Sequence, residues 1–413
     1  MRESRIRLLT LHAQYTDKLS YFDDWLDAVR QYPGFDVIAI DIIPSGARRR
    51  IRQAIGEVDA VLLLHSTNGD SITYLDRHVP VLANRRVPLI TFVGNEVNLP
   101  GFSIAGKRRV LKAIRPEWIA TQLLEEAGEY LFGDIATRGI VAIPHALNPS
   151  AFRPIRNPDT RPIDIGSRVM KYMPHVGDND RSRIANAFVK IGHERGMKIN
   201  ISNDRFNRSG WANFLNLCKG TVSTEAGSWF LEKDDATVEA IRRYVAAQAK
   251  GILIPNDSRV WTLAPALPLW VRRGAKWAFN VLGIRYETLV NEGQSYADIH
   301  ARFFKSKPRP PVYGKCISSR HFDAIGTKTC QIMFRGRFND ILNADRHYLA
   351  LDHEFSNLED VLARFSDPAQ RRAIVEEAYA HVLDGHTYAH RMRLLHDILL
   401  NQRARSHAAA ECA

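Results

Sequence analysis

The chain has 413 residues, of which 45% are apolar and 25% are charged. This composition excludes a collagen-like chain, a disordered chain and a bundle of membrane-spanning helices, and the length predicts two domains. Its 57 Lys and Arg exceed its 45 Asp and Glu by 12 charges, which indicates an anionic partner such as a nucleotide sugar, a nucleic acid, a phospholipid surface or an acidic polysaccharide.

Short apolar runs alternate with helical stretches over the first 150 residues, beginning with 6–12, 21–31 and 36–43. Fully buried strands that alternate with helices are typical of a parallel, doubly wound sheet. The segment 144–154 contains three prolines and predicts a rigid crossing between domains. We therefore predict a Rossmann-like domain over residues 1–153.

A second α/β series begins at residue 162 and predicts a second Rossmann-like domain over residues 154–400. It is interrupted over 232–312, which we interpret as an insertion. Residues 401–413 are predicted to be a flexible tail. The fold class is therefore α/β, with two tandem Rossmann-like doubly wound domains and a ligand cleft between the carboxyl ends of their strands.

The insertion contains an unusual stretch at residues 258–286. It has five basic residues, no acid, and the tryptophans Trp261, Trp270 and Trp277. Such a composition suits a segment at a lipid interface. It equally suits an insertion that packs against the second domain or a dimer partner, because Trp also anchors cores and interfaces. The sequence leaves both alternatives open.

The cysteines indicate the compartment. They lie far apart and form no C-x-x-C pair, so we predict reduced thiols in a cytoplasmic protein; they are Cys218, Cys316, Cys330 and Cys412. The amino terminus has no long apolar stretch typical of a secretion signal, and 18 uninterrupted apolar residues occur nowhere. A peripheral position at the inner face of the membrane stays open.

The sequence GFSIAGKR at residues 101–108 has the two glycines and the lysine of a phosphate loop. Arg108 stands where such a loop needs a Ser or Thr hydroxyl for Mg²⁺. We therefore favour a basic surface loop. Residues 97–116 contain five cations and no acid, so this loop is also a candidate contact for a phosphorylated acceptor or an anionic lipid.

Two other motifs could hold a metal ion, but ordinary structural roles are favoured for both. Asp178 and Asp180 have the D-x-D spacing that can share a divalent cation with a diphosphate. Asp180 precedes a predicted helix, where a carboxylate commonly caps the amino end. His381, His386 and His390 lack the H-E-x-x-H pattern of a zinc site. We therefore predict no metal site.

Loops of the second domain contain candidate anion-binding residues. Arg168 and Lys171 follow its first strand, and Thr224 and Glu225 follow a later one. Such loops can approach a diphosphate through backbone N–H groups and positive charge. Asp323 then follows a stretch of six cations without an acid. Its carboxylate could accept two hydroxyls of a ribose or sugar, or it could complement the dipole of a helix.

Three sequences resemble the group 1 glycosyltransferases, and the spore-maturation-protein-like branch in particular. They are SRHFDAIGTKTCQIMF at 319–334, HTYAHR at 386–391 and IPHALNPSAFRP at 143–154. The resemblance implies the GT-B architecture, in which the first domain binds the acceptor and the second binds a nucleotide-sugar donor. It implies a metal-independent, hexosyltransferase-like enzyme that has no tightly bound cofactor.

The resemblance places Asp323 where such enzymes have a Glu that contacts the ribose of the donor. The donor-binding residues predicted from the loops and the resemblance together are Arg168, Lys171, Thr224, Glu225, Ser319, Arg320, Phe322 and Asp323. The earlier acid of the family's E-x7-E pair falls at Lys315. The sugar contact of that acid, and with it a retaining stereochemistry, therefore stays open.

The catalytic candidates lie at strand ends of the first domain. An inverting transfer needs a base on the acceptor side, and His12, Asp17 and Glu96 occupy such positions. A retaining transfer needs none of them. Each residue also has an ordinary structural explanation. His12 could be a packed residue at a strand end, Asp17 a solvated loop residue and Glu96 an acid in a turn. Charge on the leaving diphosphate would be neutralised by Arg, Lys and helix amino termini instead of a metal.

We therefore predict a cytoplasmic glycosyltransferase that acts in the synthesis of a surface glycan or polysaccharide. Its partners would be a nucleotide sugar and a glycan or lipid-linked acceptor, with an anionic membrane surface as a further candidate. The alternative is a catalytically inactive GT-B-like protein that binds a glycan or a partner. Nucleic-acid binding has only the net charge in its favour, because no recognition motif is present.

Overall fold

The structure is a computed structural model that describes residues 5–169, 173–248 and 293–411, together with the pairs 253–254 and 285–286. Two separate parallel sheets form its framework, one within residues 6–142 and one within residues 163–351. They confirm the predicted α/β class with tandem Rossmann-like domains. Lys171 lies outside the described residues.

The first sheet has six strands in the order β2-β1-β3-β4-β5-β6, and its neighbouring pairs are parallel. Its strands are β1 (Ile6–His12), β2 (Phe35–Asp41), β3 (Ala60–Leu63), β4 (Leu89–Phe92), β5 (Trp118–Thr121) and β6 (Gly139–Ala142). Its helices are α1 (Ser20–Gln31), α2 (Ala47–Ala54), α3 (Thr73–Asp76), α4 (Val79–Ala83), α5 (Ile104–Ile114) and α6 (Glu125–Phe132). Every residue of β3 and β4 is buried, because helices cover both faces of the sheet.

The second sheet has five parallel strands in the order β15-β14-β9-β7-β8. The strands of this half are β7 (Ile163–Arg168), β8 (Ile199–Ser202), β9 (Cys218–Ser223), β10 (Ala226–Gly227), β11 (Leu253–Ile254), β12 (Arg285–Tyr286), β13 (Lys315–Cys316), β14 (Cys330–Phe334) and β15 (Leu349–Leu351). Two small sheets pair β10 with β13 and β11 with β12.

The helices of this half are α7 (Asp180–Arg195), α8 (Arg208–Leu215), α9 (Ala236–Gln248), α10 (Tyr296–Phe303), α11 (Ser319–Gly326), α12 (Leu358–Ser366), α13 (Pro368–Gly385) and α14 (Tyr388–Glu411). Short 3₁₀ segments occur at His65–Thr67, Pro158–Thr160, Pro174–Val176 and Phe338–Asp340. Within the described ranges, no helix is both long and apolar enough to cross a membrane. Three of the cysteines, Cys218, Cys316 and Cys330, are free and buried.

The predicted insertion is described only in part. Helices α9 and α10 lie within residues 232–312 and form a small core of their own, which contains Phe230, Ile241, Val245, Ile299 and Phe304. The tryptophan-rich stretch 258–286 lies outside the described residues except for the pair 285–286. Its two alternatives therefore stay predictions.

Helix α14 returns to the first domain, although the sequence-based limits assigned residues up to 400 to the second. Tyr388, Met392, Leu395 and Leu399 join the apolar core that packs Trp25 of α1 against the first sheet. The helix continues to Glu411, where the sequence predicted a flexible tail. The last helix therefore completes the core of the first domain.

The chain consequently crosses between the domains twice, once near Leu147 and once near Thr387. The two crossings run side by side and are hydrogen-bonded to each other. The N–H of Leu147 donates to the carbonyl of His386 at 2.9 Å, and the N–H of Tyr388 donates to the carbonyl of Leu147 at 3.1 Å. A short two-stranded connection thus joins the domains.

Leu395→Ala should lower the free energy of unfolding by about 2–5 kcal/mol, because it opens a cavity at a fully buried site in the first-domain core. Leu394→Ala is the matched control, since Leu394 is the neighbouring leucine and 39% of it is exposed. Urea denaturation of both variants measures the difference. Equal losses in the two variants would contradict the packing of α14 on the first domain.

Candidate functional site

The second sheet has a topological switch point at β7, which pairs with β8 on one side and with β9 on the other. In open α/β sheets such a point leaves a crevice at the carboxyl ends of the strands, where ligands bind. A crevice lies there, with about 410 Å³ of space that is partly open to solvent; we call it the switch-point cavity. The ends of β7 and β9, the first turns of α7 and α11, and Trp211 of α8 form its walls.

Three arginines from three different elements line this switch-point cavity: Arg168 from β7, Arg181 from α7 and Arg320 from α11. No Asp or Glu is among the described residues that line it. Guanidinium groups bind phosphate oxygens in pairs and keep their charge when partly buried. The cavity is therefore suited to an anion with several phosphate oxygens.

The two helices that carry Arg181 and Arg320 begin at the cavity. Asp180 is the first residue of α7 and Ser319 is the first residue of α11, so each arginine is the second residue of its helix. The amino end of a helix carries partial positive charge and unpaired backbone N–H groups. The partial positive charge of the two helix amino ends thus adds to the positive charge of the arginines at the cavity.

Arg168 is held in place by its surroundings. Its guanidinium carbon lies 3.7 Å from the centroid of the Phe214 ring. The same guanidinium donates to the carbonyls of Ser167 at 3.0 Å and Asn200 at 2.9 Å. Arg320 donates to the carbonyl of Arg168 at 3.4 Å. Arg168 is therefore a fixed part of the cavity wall.

Among the other predicted donor residues that the structure describes, only Thr224 lines this cavity. Glu225 instead accepts from the backbone N–H of Phe338 at 2.7 Å and from the hydroxyl of Tyr313 at 2.5 Å. Burial raises its pKa to about 6. Ser319 is buried at the start of α11, and Phe322 is fully buried in the core of the second domain.

Asp323 lies at the junction of the two domains and is buried. Its carboxylate accepts from the indole N–H of Trp211 at 3.0 Å and from the hydroxyl of Ser20, in the first domain, at 3.4 Å. Burial, with a smaller contribution from the charge of Asp24, raises the pKa of Asp323 well above its usual value. Both donors contact Oδ2, and Asp323 is not among the residues that line the switch-point cavity, so the ribose contact stays a prediction.

A second polar contact lies beside Asp323 and also joins the domains. The guanidinium of Arg208, in α8, donates to the carboxylates of Asp24 at 3.0 Å and Asp27 at 2.7 Å, both in α1. The amide of Asn148 donates to Asp24 at 2.7 Å. Burial nevertheless raises the pKa of Asp24 to about 6. This face of α1 is thus fixed to the second domain.

The three first-domain candidates lie at the carboxyl edge of the first sheet, but no contact among the described residues joins them. His12 ends β1 opposite Asp41, and burial lowers its pKa. Asp17 is exposed in the loop that follows. Glu96 is buried beyond β4, where it accepts from the hydroxyl of Thr121 at 2.5 Å and from the N–H of Gln122 at 2.9 Å.

Burial raises the pKa of Glu96 from its ordinary 4.5 to about 7. The folded state then binds the proton more tightly than the unfolded state, so stability is lost as the pH rises between these two values. Glu96→Gln should match wild type below about pH 4 and exceed its stability by up to about 3 kcal/mol above about pH 8. Thermal denaturation across this range measures the difference, and a constant difference would contradict the raised pKa.

The structure adds Asp70, which sequence analysis did not single out. Asp70 follows the 3₁₀ turn after β3, is half-buried, and is contacted by the amide of Asn95. Its charge helps to raise the pKa values of the Tyr15 and Tyr21 hydroxyls, with burial as the larger cause for both. Arg205, in the second domain, acts on Tyr21 in the opposite direction. Asp70 therefore lies on the cleft side of the first domain, and its position after an apolar strand is the signal that could have found it.

The phosphate-loop-like sequence is not a surface loop. Its second half begins α5, and Lys107 is buried, donating to the carbonyls of Gly94 at 2.5 Å and Asn95 at 2.7 Å. The carboxylate of Asp235, from the second domain, accepts from the N–H of Ile104 at 3.0 Å and from the hydroxyl of Ser103 at 2.5 Å. The amino end of α5 is thus already bound to a carboxylate of the same chain, that of Asp235.

At the D-x-D sequence, too, another side chain of the chain takes the place of the expected ligand. Asp178 forms a buried ion pair with Lys315, so an ammonium group lies where a shared cation would. Burial lowers the pKa of Lys315 to about 7, while the adjacent carboxylate favours its charged form. Asp180 is the first residue of α7 instead of its cap, and it pairs with Arg183.

The histidines near the carboxyl end have structural contacts. His390 accepts at Nδ1 from the N–H of Thr387 at 3.3 Å and lies 2.8 Å from its hydroxyl. His381 lies 2.9 Å from the carbonyl of Ile341. In the part of the chain that the structure describes, no group of three or more His, Cys, Asp or Glu could hold a metal ion.

Comparison with known proteins gives three findings. Residues 266–397, less than half of the chain, match a family described as glycosyl transferase-like. No curated protein matches the chain by sequence. In structure the chain is similar to an alpha-glucosyltransferase solved with UDP and a 13-mer DNA containing an HMU base, at a TM-score of 0.51 and 8% identity, over 96% of this chain and 100% of that one.

Two further solved structures have lower TM-scores. Anabaena HepE, solved with UDP and glucose, aligns at a TM-score of 0.49 and 8% identity over 96% of this chain and 99% of that one. A sucrose-phosphate synthase from Thermosynechococcus elongatus aligns at 0.45 and 10% identity over 98% of this chain and 100% of that one. The order of the two sheets and the similarity at a TM-score of 0.51 show that the chain has the two-domain GT-B fold of glycosyltransferases, with a glycosyl transferase-like segment at residues 266–397.

Proposed function

We propose that this protein is a glycosyltransferase that moves a sugar from a nucleoside-diphosphate sugar to an acceptor. The observation that carries the proposal is the switch-point cavity, where Arg168, Arg181 and Arg320 meet without an acid in the described lining. The GT-B fold and the glycosyl transferase-like segment support it.

The donor diphosphate would lie between Arg181 and Arg320, at the amino ends of α7 and α11. When the bond to the sugar breaks, negative charge grows on the leaving phosphate oxygen. Positive charge that is already in place stabilises that oxygen without reorganisation. Trp211, which lines the same cavity and donates to Asp323, offers an aromatic face for the nucleoside. Asp323 would bind the ribose.

The acceptor would bind at the carboxyl edge of the first sheet. An inverting reaction would use a base there, and Asp70 joins His12, Asp17 and Glu96 as a candidate. Asp70 is half-buried beside two tyrosine hydroxyls, whereas Glu96 is buried behind Thr121 and Gln122. A retaining reaction would use none of these residues.

Several finer assignments belong to this proposal. They are membership of the spore-maturation-protein-like branch, a hexosyl donor, a glycan or lipid-linked acceptor of a surface polysaccharide, and peripheral association with the inner membrane face. The net charge of +12 supports an anionic donor or surface. A catalytically inactive binding protein remains the alternative, motivated by Lys315 at the position of the family acid.

A thermal-shift screen tests the proposal. The purified protein is heated with UDP-, GDP-, dTDP- and CMP-sugars and with the free nucleotides, and UDP is tried first because the similar alpha-glucosyltransferase was solved with it. A ligand that binds the folded state raises the midpoint. A shift with one nucleotide family, followed by turnover with an acceptor, is the expected result. No shift across the panel, with bound ligands excluded by mass spectrometry, would favour the inactive protein.

Metal independence has its own test. Transfer should proceed at an unchanged rate after treatment with EDTA, because the ion pair with Lys315 already neutralises Asp178 and arginines would hold the diphosphate. Initial rates with EDTA, with Mg²⁺ and with Mn²⁺ measure this. A rate that falls with EDTA and recovers with one of the cations would contradict the prediction.

A further inference from the structure

Helix α2 presents an unusual surface. Arg48, Arg49, Arg50 and Arg52 are all exposed, whereas Ala47, Ile51 and Ala54 of the same helix are buried against the first sheet. Throughout the described part of the chain, none of the four guanidinium groups has an ion-pair partner. Residues 42–56 contain these four arginines and no acid.

The positive charge continues along the same side of the domain. Helix α4 contacts both α2 and α5, and the three helices share one apolar core on one face of the first sheet. Further exposed cations follow α4 and lie on and after α5. We call the whole set the cationic face, and it consists of Arg48, Arg49, Arg50, Arg52, Arg86, Lys112 and Arg115.

The cationic face begins beside the cleft. Strand β2 ends at Asp41, at the carboxyl edge of the first sheet, and α2 begins six residues later at Ala47. The acceptor side of the proposed enzyme and the amino end of α2 are therefore neighbours. Four adjacent guanidinium groups repel one another, so an anionic surface that contacts them together lowers their mutual repulsion.

We infer that the cationic face docks this protein onto an anionic phospholipid bilayer, with the acceptor side of the cleft next to the headgroups. Helices packed side by side on a sheet present a broad surface, which fits a plane of phosphates. Single-stranded nucleic acid is usually bound with aromatic stacking, and residues 42–56 contain no aromatic side chain. The biological role of this docking rests on the proposed glycosyltransferase function. Vesicle binding itself can be measured without a sugar donor.

The test is co-sedimentation with vesicles of phosphatidylcholine, with and without phosphatidylglycerol. Wild type should bind only the vesicles that contain phosphatidylglycerol, and added salt should release it. The variant R48Q/R49Q/R50Q/R52Q should bind on the order of a hundredfold more weakly, since each basic residue near the surface adds to the attraction. All four side chains are exposed, so the variant should fold. Its melting temperature, and the increase in that temperature when a nucleotide is added, verify this.

The control variant is R153Q/R156Q/K198Q/R393Q. It removes the same four charges from exposed positions away from α2, and it should bind vesicles like wild type. Equal weakening in both variants would mean that net charge alone is responsible and would overturn the inference. Absence of vesicle binding by wild type, or binding of an oligonucleotide in preference to vesicles, would also overturn it. If a nucleotide still raises the melting temperature in any of these cases, the membrane inference fails while the proposed glycosyltransferase function stands.

Discussion

Arg320→Gln should lower kcat/KM for sugar transfer by about a hundredfold to a thousandfold, the usual cost of removing one donor that stabilises developing negative charge. Arg320 is the second residue of α11 and lines the switch-point cavity together with Arg168 and Arg181. Gln keeps hydrogen-bonding capacity and most of the length but removes the charge. The loss should fall on kcat as well as KM, because negative charge grows on the diphosphate only as the bond breaks.

Lys328→Gln is the matched control for Arg320→Gln. It follows α11, removes the same charge and pairs with Glu376 at a partly exposed position away from the cavity. Its kcat/KM should stay within about twofold of wild type, as expected for a surface pair. Equal losses in the two variants would show that the effect arises from net charge or from damage to the helix, and would remove Arg320 from the donor site.

Asp323→Ala should lower transfer by about tenfold to a hundredfold, since the side chain could accept two ribose hydroxyls and each net hydrogen bond contributes about 0.5–1.5 kcal/mol where burial disfavours the charged form. The substitution also leaves the indole N–H of Trp211 without its acceptor. Asp323→Asn keeps an acceptor oxygen for that indole. It should therefore fold like wild type and still lose most of the transfer activity.

Ser20→Ala separates the two roles of Asp323. In this structure Asp323 contacts Ser20 across the domain junction, so loss of activity in Asp323→Asn could arise from a weakened junction. Ser20→Ala removes the same interdomain contact but no donor contact, and it should retain nearly full kcat/KM. If Ser20→Ala loses as much activity as Asp323→Asn, Asp323 acts as a positioning residue at the junction and not as a ribose ligand.

The sequence predicted the parts of the fold that have a periodic signature. Apolar runs alternating with helices predict two parallel sheets. Because parallel strands end at one edge, the loops with Arg168 and Thr224 were expected at a common site. Together with Arg320 these residues line one cavity.

Contacts between distant side chains have no such signature. The pairing of Lys315 with Asp178, the carboxylate of Asp235 on α5, and the return of α14 to the first domain all join residues far apart in the chain. Spacing within a motif cannot reveal that another residue of the chain already fills its ligand position. Asp70 was missed for a related reason, since its surroundings come from loops after different strands.

The paired crossings at Leu147 and Thr387 constrain the relative motion of the two domains. Backbone hydrogen bonds join the two connecting segments to each other. A movement of one segment without the other would break these bonds. Twisting or lateral sliding would shear those bonds, whereas bending both segments about one short axis preserves them. We therefore expect bending about that axis to be the easiest motion of the junction. A bend that separated the domains would break the contacts of Asp323 with Ser20 and of Arg208 with Asp24.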